Sequence, residues 1–265
     1  MYSSLTLLRK YLQYLWKASN GKGHGVHSPF VYHFIRTVLL KKINQADFEK
    51  IEQRRADLQK DKTLVQVWDR GAGSRQSKKN ARAISAIAKS ALKPKKYSQL
   101  LYKIASTFQP SAILEMGTSL GITTSYLAIA IPGTQVVTME GAPNIAAIAR
   151  KNFEALALSN INLVEGDFNE SLPKYLANKE SVGLVYVDGN HRYAPTVEYF
   201  LQLIEKSNDE TVLIFDDIHW SAEMEKAWDF IKQHPSVTLT IDLFFIGLVF
   251  VRKAQKEKEH FIIRY

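Results

Sequence analysis

From Ala112 onward the chain alternates two patterns of apolar and polar positions. Short apolar runs recur as AILEM at 112–116, QVVTME at 135–140, INLVEG at 161–166, VGLVYVD at 182–188 and TVLIFDD at 211–217. Between them lie stripes at helical spacing: Ile145, Ile148, Ala149, Phe153 and Leu156, then Val197, Leu201 and Ile204, then Met224, Ala227, Trp228 and Ile231. Strand and helix alternating at this interval predict a parallel sheet covered by helices on both faces. The run TLTIDLFFIGLVFVRK near the end holds two strand-like segments around Gly247 and predicts an antiparallel hairpin at one edge.

The first ninety or so residues read as helices. Leu5, Leu8, Leu12 and Leu15 recur at helical spacing, as do Val31, Phe34, Ile35, Val38 and Leu39. Between the two stripes NGKGHGVHSP breaks the pattern and ends in Ser28 and Pro29, suited to an N-cap and a first helical position. It lacks the glycine spacing of a phosphate-binding loop, and His24 and His27 read as loop residues. A second break, WDRGAGSRQSKKN at 68–80, is basic and aperiodic, and is read as a lid with Arg70 or Arg75 near a ligand. KPKK at 93–96 marks the expected boundary, giving a basic helical accessory segment over 1–95 and a ligand-binding domain over 96–265.

Composition narrows the possibilities. The chain has 265 residues, 46% hydrophobic, enough for one packed domain with an accessory segment. No apolar run approaches the roughly 20 residues of a membrane helix, and the N-terminus does not read as a signal peptide. The absence of cysteine excludes disulfides, thiolate metal sites and cysteine nucleophiles, and suits a cytoplasmic protein. The net charge of +9 is unevenly spread. Residues 1–110 carry 22 lysines and arginines against 6 acidic residues, whereas residues 111–265 carry 13 against 20. The basic portion suits an anionic partner, or complements the acidic remainder of the chain.

In an open parallel sheet ligands sit beyond the carboxyl ends of the strands. After the first strand the chain reads EMGTSLG, offering Glu115, Gly117, Thr118, Ser119 and Gly121. The second strand ends on Glu140 and Gly141, where a carboxylate can accept two ribose hydroxyls. The third ends in EGDF, presenting Asp167 and Phe168 to an adenine amino group and ring. Taken in order, ILEMGTSLGITTSYLA, VVTME and LVEGDF resemble the nucleoside-binding motifs of class I S-adenosylmethionine-dependent methyltransferases. KYSQLL before the first strand, VDGNH and the acidic pair after strand five are most similar to the metal-dependent small-molecule O-methyltransferases of the catechol type. The resemblance spans about residues 95–252.

That resemblance implies a Rossmann-like, doubly wound, mostly parallel sheet with an antiparallel edge hairpin. It implies S-adenosylmethionine as methyl donor, with Glu115 and Gly117 near its methionine part, Glu140 at the ribose and Asp167 at the adenine. It further implies Mg2+ held by Asp188, Asp216 and Asp217, polarising a hydroxyl of a small-molecule acceptor. Asp217 departs from the catechol type, which has an amide there. His191 falls where that type has a lysine base and is the expected proton acceptor, with Asn190 orienting ion or substrate and His219 a weaker candidate. An RNA acceptor gripped by the basic segment is the first alternative, weakened by the lack of a recognisable RNA-binding module in 1–95. A nicotinamide-dependent oxidoreductase is the second, weakened by the missing GxGxxG; a non-catalytic binding protein is the third. The sequence is compatible with a homo-oligomer and leaves the acceptor unnamed.

Overall fold

The computed structural model describes residues 1–67 and 80–265. It divides into two compact units, one of residues Met1–Lys41 and Tyr175–Tyr265 and the other of Lys42–Lys174. The proposed lid with Arg70 and Arg75 lies outside the described residues.

The first unit opens with helices α1 (Ser4–Lys17) and α2 (Pro29–Phe34). Ser3 caps α1 by accepting from the Thr6 N–H, and Pro29 occupies the first turn of α2 with Ser28 at its N-cap, as the sequence predicts. The leucine stripe of α1 is not its buried face. Leu5, Leu8 and Leu12 are exposed, and the helix instead packs Tyr11 and Tyr14 on Phe244, with Lys10 joined to Glu225 at 2.8 Å.

The second unit begins with α3 (Glu49–Leu58), β1 (Leu64–Val67), β2 (Asn80–Ala83), α4 (Ile84–Ala91) and α5 (Lys95–Phe108). The expectation that this whole region is helical fails at β1 and β2, which form an antiparallel ribbon. The physical reason is the short run LVQV, which alternates exposed and half-buried positions; Val65 and Val67 pack on the core around Phe48, Ile84 and Ile145. Then follow β3 (Ile113–Met116), α6 (Ile122–Ala130), β4 (Val136–Glu140), α7 (Pro143–Ala155), β5 (Ile161–Glu165) and α8 (Phe168–Ala177). β3, β4 and β5 pair in parallel in that order. All of β3 and nearly all of β4 are buried, as strands covered on both faces must be.

The first unit resumes with β6 (Leu184–Val187), α9 (Tyr193–Glu205), β7 (Val212–Asp216), α10 (Ala222–Gln233), β8 (Leu239–Asp242), β9 (Ile246–Phe250) and β10 (Glu259–Ile262). β6 and β7 are parallel, β9 runs antiparallel to both β7 and β8, and β10 joins β8 in parallel. The predicted hairpin is β8–β9. Its Gly247 is required by packing: a Cβ there would come within 2.6 Å of the Trp228 ring on α10. β10 has no counterpart in the sequence reading, because EHFI is short and charged at its start. No helix among the described residues is long and apolar enough to cross a membrane.

Candidate functional site

Candidate residues fall into two groups, one in each unit. In the unit of residues 42–174 they line the turns after β3, β4 and β5. The N–H groups of Gly117 and Thr118 both donate to the Met139 carbonyl, drawing the β3 turn onto the end of β4. The turn needs left-handed backbone at Gly121, where φ is +77° and a Cβ would lie 2.5 Å from the Phe153 ring. α6 then starts against α7. Asn152 of α7 donates to the Leu120 carbonyl at 2.7 Å and accepts from Arg54 of α3.

Glu140 closes this arrangement. One carboxylate oxygen accepts from the Ser119 N–H at 2.8 Å and the other from the Ala142 N–H at 2.9 Å, so it holds two strand-end turns together. Gly166 donates to the Glu140 carbonyl, bringing the β5 turn beside Gly141. Asp167 follows, its Oδ1 accepting from the Asn169 N–H and its carbonyl from Ser171 as α8 begins, with Phe168 half-buried next to it. Glu115 differs from the others. It is fully buried, and its Oε2 accepts from the hydroxyls of Thr138, at 2.6 Å, and Thr124. Thr118 meets Thr138 at 2.6 Å, so a buried polar chain runs from Glu115 to the turn.

In the other unit the ends of β6 and β7 bring Asp188, His191 and Asp216 together. One donor atom from each lies within 4.8 Å of the others. His191 Nε2 is 3.4 Å from Asp188 Oδ1. Asp216, the last residue of β7, is only 1% exposed, while Asp188 and His191 are half-buried. Asp217 is not brought into the group. Its backbone is left-handed (φ +54°) and its N–H donates to the Phe245 carbonyl at 2.6 Å, ending the strand. It remains close enough for its charge to be felt at Tyr186.

Tyr186 is the residue that sequence reasoning missed. Its hydroxyl donates to Asp188 Oδ2 at 3.0 Å from a fully buried position within β6. Burial first, then the charges of Asp188, Asp216 and Asp217, push the phenol well above its ordinary range, so it stays a donor at every physiological pH. In the run LVYV it carries no signal separating it from a core aromatic. Asn190, also left-handed (φ +58°), donates to the Tyr199 hydroxyl at 3.1 Å and accepts from Arg192, bracing the turn.

His219 lies apart from this cluster, between Glu225 (3.1 Å) and Asp242 (2.7 Å), with its ring stacked on Phe244. Burial lowers its pKa, but the hydrogen bonds and charges of Asp242 and Glu225 outweigh that and leave it raised. Glu225 in turn accepts from Tyr2 and Lys10, so this network ties α1 to α10 and β8.

Residues 114–218 match the family described as methyltransferase domain. A catechol O-methyltransferase from Niastella koreensis is 30% identical over 128 residues, 46% of this chain and 55% of that protein; the match spans about half the relative's length. Among solved structures, the O-methyltransferase from Bacillus cereus in complex with SAH aligns with TM-score 0.55 and 20% identity, over 83% of this chain and 97% of that one. The SAH-bound methyltransferase from Podospora anserina aligns with TM-score 0.58 and 13% identity, over 96% and 98%. The O-methyltransferase of tomaymycin synthesis from Streptomyces achromogenes, in complex with SAM, aligns with TM-score 0.53 and 22% identity, over 61% and 82%. The expected Rossmann-like, mostly parallel fold is therefore the one observed.

Proposed function

We propose that this chain, which has the methyltransferase fold and a methyltransferase domain over residues 114–218, moves the methyl group of S-adenosylmethionine to a hydroxyl of a small molecule. The observation that carries the reading is the meeting of Asp188, His191 and Asp216 at two strand ends within that matched segment.

On the donor side Glu140, at the end of β4 where it accepts from the Ser119 and Ala142 N–H groups, takes the ribose hydroxyls. Asp167 and Phe168 take the adenine edge and face. Gly117, Thr118, Ser119, Gly121 and Gly141 supply close backbone approach, and buried Glu115 holds the turn through Thr138, Thr124 and Thr118. The sulfonium needs no activation, since the leaving group is a neutral thioether.

On the acceptor side the oxygens of Asp188 and Asp216 and the ring nitrogen of His191 fit a divalent cation, Mg2+ or another. A bound cation there supplies Lewis-acid polarisation that makes the hydroxyl more acidic. Tyr186 fixes Asp188, and Asn190 fixes the turn that carries His191. In the transfer the acceptor oxygen gives up its proton, to His191 or to solvent, and attacks the methyl carbon in line; the new O–C bond forms as the C–S bond breaks, releasing S-adenosylhomocysteine. His191 works on this side either as proton acceptor or as nitrogen ligand beside Asp188. Positioning supplies much of the acceleration.

The test is calorimetry with S-adenosylmethionine, with and without Mg2+, on wild type and Asp216→Ala, followed by labelled-methyl transfer to a panel of hydroxylated small molecules. Donor binding and transfer to a hydroxyl are expected. Absence of donor binding would overturn the reading, and transfer indifferent to chelation would remove its cation alone.

A further inference from the structure

Helix α1 turns its tyrosines inward. Tyr14 is buried and donates its hydroxyl to the Ile263 carbonyl, Tyr11 and Tyr14 pack on Phe244, and Tyr2 and Lys10 both bond Glu225. These contacts hold the helix by one side and leave the other to solvent. At 3.6 residues per turn Leu5, Leu12 and Trp16 fall within about 20° of the direction opposite Tyr14, with Leu8 beside them. Each of the four is more than half exposed, and Trp16 is 85% exposed. A single exposed leucine is ordinary on any surface. Four large apolar side chains in one stripe of one helix mark a face that is covered in use.

The charges around the stripe point to what covers it. α1 carries Arg9, Lys10 and Lys17 and no acidic residue, and the first acid in the chain, Asp47, comes after seven lysines and arginines. Arg9 lines a shallow cleft with Leu5, Leu8, Leu12, Gln13 and Trp16, and Lys17 is exposed next to Trp16. Arg264, also exposed, donates to the Leu15 carbonyl at 2.6 Å and adds a cation at the C-terminal end of the helix. An anionic lipid surface matches each part: acyl chains take the leucines, headgroup phosphates take the cations, and the boundary between them takes the indole. A second copy of the chain fits less well, because a two-fold contact sets two cationic helices together with no acid on either to meet them. We propose that the face of α1 formed by Leu5, Leu8, Leu12 and Trp16 docks on an anionic membrane surface, with the helix lying in the plane of the interface. At 14 residues α1 is too short to span a bilayer and is suited to surface attachment.

The helix is already formed before it meets lipid. Ser3 caps its first turn, and the inward contacts of Tyr2, Lys10, Tyr11 and Tyr14 fix its orientation, so little ordering entropy opposes docking. Inward and outward faces use different side chains, and each can be changed without the other. The proposal is independent of the methyl-transfer reading, since none of these residues belongs to the strand-end turns.

The experiment is co-sedimentation of the full chain with vesicles of phosphatidylcholine, alone or with about one third phosphatidylglycerol. Wild type should bind the anionic vesicles, less tightly as salt rises, and bind the neutral ones more weakly by about tenfold or more. Leu8→Ser combined with Leu12→Ser should weaken binding to anionic vesicles by about tenfold or more. Arg9→Gln combined with Lys17→Gln should weaken it on anionic vesicles and leave neutral ones unchanged. Trp16 gives a local readout: anionic vesicles should shift tryptophan emission to the blue, and Trp16→Phe should remove that shift while most of the binding remains. Thermal melts of every variant should match wild type, because the altered side chains are exposed. No binding of wild type to anionic vesicles, binding unchanged in the leucine pair, or a blue shift that survives Trp16→Phe would each overturn the proposal. Light scattering without lipid tests the rival occupant: a wild-type dimer that the leucine pair dissociates would assign the face to a second copy and overturn membrane docking.

Discussion

The Tyr186 hydroxyl donates to Asp188 Oδ2 across 3.0 Å, from a ring wholly inside the core to a carboxylate at the mouth of the strand. The pair links folding to the site: the tyrosine is part of β6, and the acid it orients is the first donor of the cluster. Tyr186→Phe keeps the ring and removes only the donor. It should cost about 1–2 kcal/mol of stability, leave nucleoside affinity unchanged, and reduce divalent-cation affinity, read by denaturant titration and calorimetry.

Glu140 has a different dependence. Its two oxygens each hold a backbone N–H, so Glu140→Gln turns an amide NH2 toward one of two donors and loses a turn contact together with the proposed ribose acceptor. The expected result is S-adenosylmethionine binding weaker by about tenfold or more, consistent with loss of one or more hydrogen bonds to a charged acceptor. Metal binding should be untouched. Equal donor affinity in the variant would remove Glu140 from the ribose site.

Gly121 tests the architecture of the donor turn. Alanine there must adopt φ +77° and overlap the Phe153 ring. A loss of about 2–4 kcal/mol is expected from the combined strain and clash. Phe153→Leu in the same chain should recover part of it, the steric part, in thermal unfolding. No recovery would mean that the backbone conformation alone sets the cost.

The His219 network predicts a pH profile. Net of its burial, His219 is raised by Asp242 and Glu225, so its contribution is complete below the ordinary histidine value of 6.5 and is lost as pH rises through the higher folded value. Glu225, also opposed by burial, is lowered by Lys10, Tyr2 and His219; its contribution holds above the usual 4.5 and fades as pH falls through the lower folded value. Stability from this network is therefore greatest between the two. Urea midpoints of wild type and His219→Gln, compared from pH 5 to 9, should differ most at the acid side of neutrality and converge at high pH. A constant difference across the range would show that packing on Phe244, and not charge, is what the histidine provides.

The sequence was legible where the relevant physics is local. The apolar runs from Ile113 to Asp216 became strands within a residue or two of their expected ends, and the two runs around Gly247 became β8 and β9. Glu140, Asp167 and Asp188 stand at strand ends because a buried strand emerges toward water there and a carboxylate can be solvated; Asp216 ends β7 but stays buried. The β1–β2 ribbon was hidden because four residues are too few for a period to declare itself, and β10 because its pairing with β8 is set by a distant strand.

By itself the sequence determined which segments alternate as strand and helix, where the acids fall, and that no thiol takes part in any chemistry. Only the tertiary structure decided which face of α1 is buried, since leucines and tyrosines share the same period and the aromatic contact with Phe244 selects between them. It also decided that His191 joins Asp188 and Asp216 while Asp217 does not. Convergence of these atoms depends on strand register, fixed by partners far away in the chain, and on left-handed turns at single residues such as Asn190 and Asp217. A local pattern of polar residues contains neither.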